Sequence, residues 1–224
     1  MGKASIYSTI YGIAGSGGFA REVMPVACVM LMQQGIDKEQ LVFVDNEMTD
    51  DCLNGHPVLT EKEFFDCDVK NHYFNIAIAE SSKREKIANY FLSKGALPFS
   101  IRCHSSMSQS NNQIDVGAIL APYTIITANA KIGKFFHLNI YSYVAHDCII
   151  GDFVTFAPQV QCNGGVIIED HVYIGTGAII RNSTPSKEIT IGRGAIIGMG
   201  AVVTKSVPAG VTVAGNPAAI LGKP

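Results

Sequence analysis

The sequence predicts two folds in tandem, an α/β Rossmann-like domain over residues 1–103 followed by an all-β parallel β-helix over residues 104–224. Three observations predict them. Strand-like and helix-like runs alternate through the first part, an apolar residue recurs at every sixth position from Ile114 onward, and glycine repeatedly follows that apolar residue.

"IYSTIYGIAGSGGFAREVMPVACVMLMQQG" reads as an apolar strand, a glycine-rich turn and a helix ending near Gly35. "LVFVDN" is a second strand with an acidic tip, "YFNIAIAES" a third, "SKREKIANYFLSKG" an amphipathic helix capped by Gly95, and "PFSI" a short fourth strand. Strands that alternate with helices build a small parallel sheet. In the turn Gly15-Ser16-Gly17-Gly18-Phe19-Ala20, glycines let backbone approach a ligand, and the N–H groups at the helix start can face an anion. Asp45 ends the second strand, where an acidic side chain commonly holds a ribose or a base edge. The spacing departs from G-x-G-x-x-G, so turn and carboxylate together suggest a nucleotide without specifying one.

Stepping in sixes from Ile114 meets Leu120, Ile126, Ile132, Leu138, Val144, Ile150, Phe156, Cys162, Ile168, Ile174 and Ile180. After an interruption the register resumes at Ile191, Ile197 and Val203 and weakens to Ala209. The fifth place of each unit is small or β-branched, as at Ala118, Thr124, Ala130, Val154, Val160, Val166, Val172, Ala178, Ala195 and Ala201. The second is repeatedly glycine, as at Gly133, Gly151, Gly175, Gly192 and Gly198. A period of six fits neither an α-helix nor a flat alternating strand, and so many consecutive hits count against a β-sandwich with chance spacing. Three strand-and-corner units close one triangular coil of 18 residues, with position-one side chains filling the prism. From Ile180 to Ile191 the step is 11 residues, so "RNSTPSKE" must bulge from the coil as a loop that either roofs a cleft or decorates a corner.

Composition removes several classes of function. Charged residues are only 16% and the formal net charge is -2, so there is no basic surface for nucleic acid. Cys28, Cys52, Cys67, Cys103, Cys148 and Cys162 contain no C-x-x-C pair, which suits reduced thiols rather than a disulfide framework or a zinc site. The longest apolar run near the N-terminus, Val23 to Met32, contains Pro25 and is far short of the ~20 residues that span a bilayer. The expectation is a soluble cytoplasmic protein with neither membrane insertion nor a metal site.

Within "VAHDCIIGDFV", His146 and Asp147 take the third and fourth places of their unit, at a corner rather than inside the prism. One coil later, 146 plus 18 is 164, so Gly164 stacks over His146 on the same edge. An imidazole beside a bare backbone amide suits acyl transfer: the first takes a proton, the second steadies charge on a carbonyl oxygen, and Asp147 orients the ring.

The hexad pattern, with the closing "VTVAGNPAAILGK", resembles the left-handed β-helix acyltransferases, and handedness comes from that resemblance. The "GSGGFAREV" turn and "FVDN" fused to a prism carrying "HDCIIGDF" resemble the nucleotide-amino-sugar N-acetyltransferases of bacterial glycan synthesis, of the bacillosamine-pathway type. The sialic acid O-acetyltransferases belong to the same wider family. The resemblance implies an acetyl-CoA-dependent N-acetyltransferase acting on a UDP-linked 4-amino-4,6-dideoxy sugar, UDP being expected over GDP. It implies His146 as base, Asp147 as its partner and Gly164 as the thioester contact. It also implies a homotrimer in which acetyl-CoA touches backbone near Gly177, Gly198 and Gly200, and a first domain that holds the nucleotide through Gly17, Gly18, Asp45, Asn46, Glu80 and Arg84. Relatives often carry a second histidine where this chain has Thr155. Two alternatives stay open at this stage, O-acetylation of a sialic-acid-like sugar and a non-catalytic, trimeric nucleotide-sugar scaffold.

Overall fold

The computed structural model describes residues 7–221, and the chain divides into two compact units between Ile101 and Arg102. Among the described residues no helix is long and apolar enough to cross a membrane.

The first unit runs β1 (Thr9–Ala14), α1 (Gly18–Gln33), β2 (Leu41–Val44), β3 (Cys52–Leu53), β4 (His56–Leu59), α2 (Glu61–Asp66), β5 (Asn71–Ile76), α3 (Ser81–Ser93) and β6 (Leu97–Pro98). The sheet order is β3-β4-β2-β1-β5-β6, parallel throughout except for the β3/β4 hairpin. The central strands read as unbroken apolar runs because both faces are covered: Ile13, Phe43, Phe74 and Ile76 are fully buried. The expected strand over "PFSI" is shorter, since only Leu97–Pro98 pairs with β5. The hairpin and α2 extend the predicted order. Asn54 and Gly55, both at positive φ, make its two-residue turn, and Thr60 caps α2 by accepting the Glu63 N–H while the Glu63 carboxylate returns to the Thr60 N–H.

The second unit is a three-faced stack of two-residue parallel strands, closed by Thr212–Ala214 pairing antiparallel with Ala219–Ile220. One face holds strands such as Ile119–Leu120, His137–Leu138 and Thr155–Phe156, the next Ile125–Ile126, Tyr143–Val144 and Gln161–Cys162, the third Lys131–Ile132, Ile149–Ile150 and Ile167–Ile168. Each residue pairs with the one 18 later, as in Val144↔Cys162 and Ile132↔Ile150. The interior is one continuous core of position-one and fifth-place residues, each fully buried Ile or Val contributing about 1.5–3 kcal/mol. Across the interruption Ile168 pairs with Ile191, and Ile189 supplies the missing fifth-place side chain, fully buried.

Beyond Val203 the coil shortens: Ile191 bridges to Val207 and Ile197 pairs with Val213. The register expected at Ala209 therefore slips by two residues, leaving Ala209 exposed and turning Val207 and Val213 inward. The second-place glycines also have a cause. A Cβ on Gly133 or Gly151 would collide with the Oδ1 of Asp152 or Asp170 one coil later. Those carboxylates accept the Lys134 and Asp152 N–H groups at 2.8 Å, so each glycine makes room for a cap on its own corner.

Candidate active site

His146 and Asp147 stand at the corner that follows the strand Tyr143–Val144, with 65% and 58% of their side chains exposed. Asp147 adopts φ 59°, a left-handed conformation that aspartate tolerates, and its N–H donates to the Ala128 carbonyl one coil below. Its Oδ2 lies 2.7 Å from His146 Nδ1. A carboxylate only accepts, so Nδ1 carries a proton, and in the neutral ring Nε2 keeps its lone pair. The hydrogen bond from His146, then one from Asn129, holds the Asp147 carboxyl below the usual carboxylate range.

The ring lies on Gly164. A Cβ there would sit 2.5 Å from both His146 Nε2 and Cε1, so only glycine lets the imidazole rest on this backbone. The Gly164 carbonyl accepts from Ser183 N–H, the neighbouring Gly165 N–H donates to the His146 carbonyl, and the Gly164 N–H has no acceptor among the described residues. Gly164 is buried beneath the ring rather than standing bare beside it, which corrects the picture of a freely projecting amide.

Gly177 and Gly200 stack on another corner at φ 69° and 65°, with open space where a Cβ would point. Their N–H groups donate to the Pro158 and Thr176 carbonyls, and that of Gly198 to the Val213 carbonyl. All three amides are thus committed within the prism; Gly177 and Gly200 offer a ligand close approach but no donors, whereas a Cβ on Gly198 would meet Ala214 at 2.9 Å, so that glycine makes room for the next coil. Thr155 is buried on a different sheet from the strand that precedes His146, so within one chain it is not a neighbour of His146. A cavity of about 650 Å³ lined by Asn112, Asp115, Lys131 and Ile150 opens at the first coils, away from this edge.

In the α/β unit the chain leaves β1 towards β2 on one side and meets β5 on the other, so the carboxyl ends of β1 and β5 form the crevice where ligands bind in such sheets. Gly17 caps α1 with no side-chain hydrogen bond and no acidic residue in the first turn, leaving the positive helix end open; Gly17 and Gly18 are exposed. Asp45 accepts the Ser16 hydroxyl at 2.5 Å, which ties the turn to the β2 tip. Asn46 Oδ1 caps the Glu61 N–H of α2, and exposed Glu80 accepts from Ser82 at the start of α3.

Arg84 departs from expectation. It is fully buried, and its Nη1 donates to the Ile78 and Ala79 carbonyls at 2.7 and 3.1 Å. Burial lowers its pKa to about 9. It shapes the β5–α3 turn from beneath instead of meeting a nucleotide. Sequence reasoning also missed Asn129, whose amide reaches Asp147 at 3.2 Å; 147 minus 18 points straight to it.

An exposed imidazole fixed by a carboxylate and laid on glycine, on the edge of a hexapeptide prism, has the chemistry that acyl transfer needs. No family model matches the chain. It is 48% identical over 209 residues to GDP-perosamine N-acetyltransferase of Escherichia coli O157:H7, covering 93% of this chain and 95% of that protein. WeeI from Acinetobacter baumannii AYE is 50% identical, with TM-score 0.91, 95% of this chain and all of that one covered. A variant of perosamine N-acetyltransferase from Caulobacter crescentus, in complex with CoA and GDP-perosamine, shares the fold at 23% identity, TM-score 0.83 and 96% and 97% coverage. The chain belongs to the nucleotide-amino-sugar N-acetyltransferases of the hexapeptide-repeat, left-handed β-helix family. It is an acyltransferase, and acetyl-CoA is its co-substrate.

Proposed function

We propose that this protein acetylates the amino group of a GDP-linked 4-amino-4,6-dideoxy sugar, GDP-perosamine being the first acceptor to test. The 48% identity to a GDP-perosamine N-acetyltransferase across nearly the whole chain carries the reading. It favours a GDP carrier over the UDP carrier expected from resemblance alone.

His146 Nε2 takes the proton that the amine sheds as its nitrogen bonds to the acetyl carbonyl carbon, and returns that proton to the CoA sulfur as the C–S bond breaks. Asp147 holds the ring in the required tautomer and stabilises its protonated form. The Gly164 backbone, directly under Nε2, is the thioester contact. Gly177 and Gly200 give the long, thin co-substrate close approach in a homotrimer. The Rossmann-like α/β unit holds the nucleotide: the helix end at Gly17 and Gly18 takes the diphosphate, while Asp45 and Asn46 at the β2 tip, and Glu80 at the start of α3, serve the base and ribose. The cell compartment proposed is the cytoplasm, where such donors are made.

Release of free CoA from acetyl-CoA, measured with GDP- and UDP-linked amino sugars and a sialic-acid-like hydroxy sugar, tests this directly. The expected order is GDP-linked amine first, by at least tenfold in kcat/KM. Equal or better turnover of the UDP sugar removes the carrier assignment, turnover of the hydroxy sugar alone establishes O-acetylation, and binding without turnover leaves a scaffold.

A further inference from the structure

Three successive coils of one edge carry a continuous polar column. Asn129, Asp147 and Gly165 occupy the same corner place, 18 residues apart, at φ 57°, 59° and 70°. Their N–H groups donate downward in turn to the Ser110, Ala128 and His146 carbonyls, so the backbone of the column is rigidly indexed. Asn129 Nδ2 meets Asp147 Oδ1 at 3.2 Å, and Asp147 Oδ2 meets His146 Nδ1 at 2.7 Å. Because a carboxylate only accepts, the amide nitrogen of Asn129 is the atom that faces it.

The corner conformation does not itself call for asparagine. Tyr123, Phe135, Tyr141, Phe153 and Gln159 hold the same left-handed φ elsewhere in the prism. What distinguishes position 129 is a side-chain donor aimed at the catalytic carboxylate. Asp147 is 58% exposed, so solvent does nothing to fix the rotation of its carboxylate; two hydrogen bonds to two different oxygens do.

We infer that Asn129 is a positioning residue for acetyl transfer: by holding Oδ1 from the coil below, it keeps Oδ2 on His146 Nδ1 and thereby keeps Nε2 over Gly164 as the base. This rests on His146 being the base. Asn129 also helps keep the Asp147 carboxyl below its ordinary range, which ties the amide to the charge state of the pair.

The experiment compares Asn129→Gly, Asn129→Asp and His146→Ala with the wild type, using acetyl-CoA and GDP-perosamine. Glycine accepts the left-handed backbone without strain and removes the amide; aspartate keeps shape and backbone tolerance but has no donor. Both Asn129 variants are expected to lose about tenfold in kcat, the scale of one lost hydrogen bond to a charged group, with KM for both substrates unchanged. A ¹³C titration of the Asp147 carboxyl is expected to move upward in Asn129→Gly, a change that a purely structural role would not produce. Wild-type kcat in Asn129→Gly, an unmoved Asp147 titration, or a loss seen only as raised KM overturns the inference. His146→Ala separates the two readings. If it is inactive while Asn129→Gly is fully active, only the role of Asn129 falls; if it turns over normally, the base assignment falls and takes this inference with it.

Discussion

On the prism, His146 and Asp147 stand in solvent, and the groups that steady them come from fixed distances along the chain: Asn129 one coil below, Gly164 one coil above. In the α/β unit the turn between β5 and α3 is steadied from beneath, by a fully buried Arg84 that grips the Ile78 and Ala79 carbonyls. The first arrangement costs the core nothing, because a corner lies outside it. The second places a cation inside the unit, and burial already lowers its pKa to about 9. The difference teaches where damage will travel. A change at the prism edge is expected to alter chemistry and leave the fold alone, whereas a change at the α/β turn is expected to alter binding and stability together.

The strongest way to break that contrast is His146→Ala. Loss of a general base is expected to lower kcat by about 10²- to 10⁴-fold. The thermal midpoint is expected to stay within a degree or two, because the side chain is 65% exposed and lies outside the apolar core. Steady-state kinetics beside calorimetry checks both halves. A large fall in the midpoint would show that the edge is structural after all.

Next in size is Gly164→Ala. The added methyl would sit 2.5 Å from two imidazole atoms, so the ring must leave its place. About a 10²-fold fall in kcat is expected with the fold retained, read by kinetics and by the position of the His146 ring in a crystal structure. Activity near the wild-type level would show that the ring need not rest on this glycine.

The same contrast explains how much the sequence disclosed. The prism was legible because its core obeys a single period: once Val144 and Cys162 are inward, the stacking of His146 on Gly164 follows by addition. The rule failed where the period changed, at Ala209, because the last coils contract by two residues and no local residue type announces it. In the α/β unit the strands and long helices were legible from apolar runs. The β3/β4 hairpin was missed although its Asn54-Gly55 turn signals one, and α2 although Thr60 and Glu63 form a capping pair. The role of Arg84 was not legible at all: a cation at the first turn of an amphipathic helix reads as a surface ligand, and only tertiary burial turns it inward.

Arg84→Met sharpens the comparison from the other side. Methionine fills much of the volume but donates nothing, leaving two carbonyls without their clamp at about 1–3 kcal/mol each, partly offset by relief of the buried charge. A lower thermal midpoint and roughly a tenfold rise in KM for the nucleotide sugar are expected, with KM for acetyl-CoA unchanged. An altered acetyl-CoA KM would mean that damage to this turn does not stay in its own unit.

The smallest expected effect is that of Ser16→Ala. The Ser16 hydroxyl donates to Asp45 Oδ2 at 2.5 Å, while Asp45 Oδ1 is held by the Glu47 N–H, so the carboxylate keeps one anchor when the serine is lost. Both partners are half-buried, but because the carboxylate keeps its Glu47 anchor the net loss is expected at the low end for a single hydrogen bond, about 0.5–1.5 kcal/mol. KM for the GDP sugar is therefore expected to rise about threefold, and kcat to stay, because nothing on the prism edge has moved. Calorimetric titration with GDP alone isolates the nucleotide half of that effect. If GDP affinity is unchanged while the sugar KM rises, Ser16 serves the sugar rather than the turn, and the strand-tip carboxylate is not the group that the serine positions for the base.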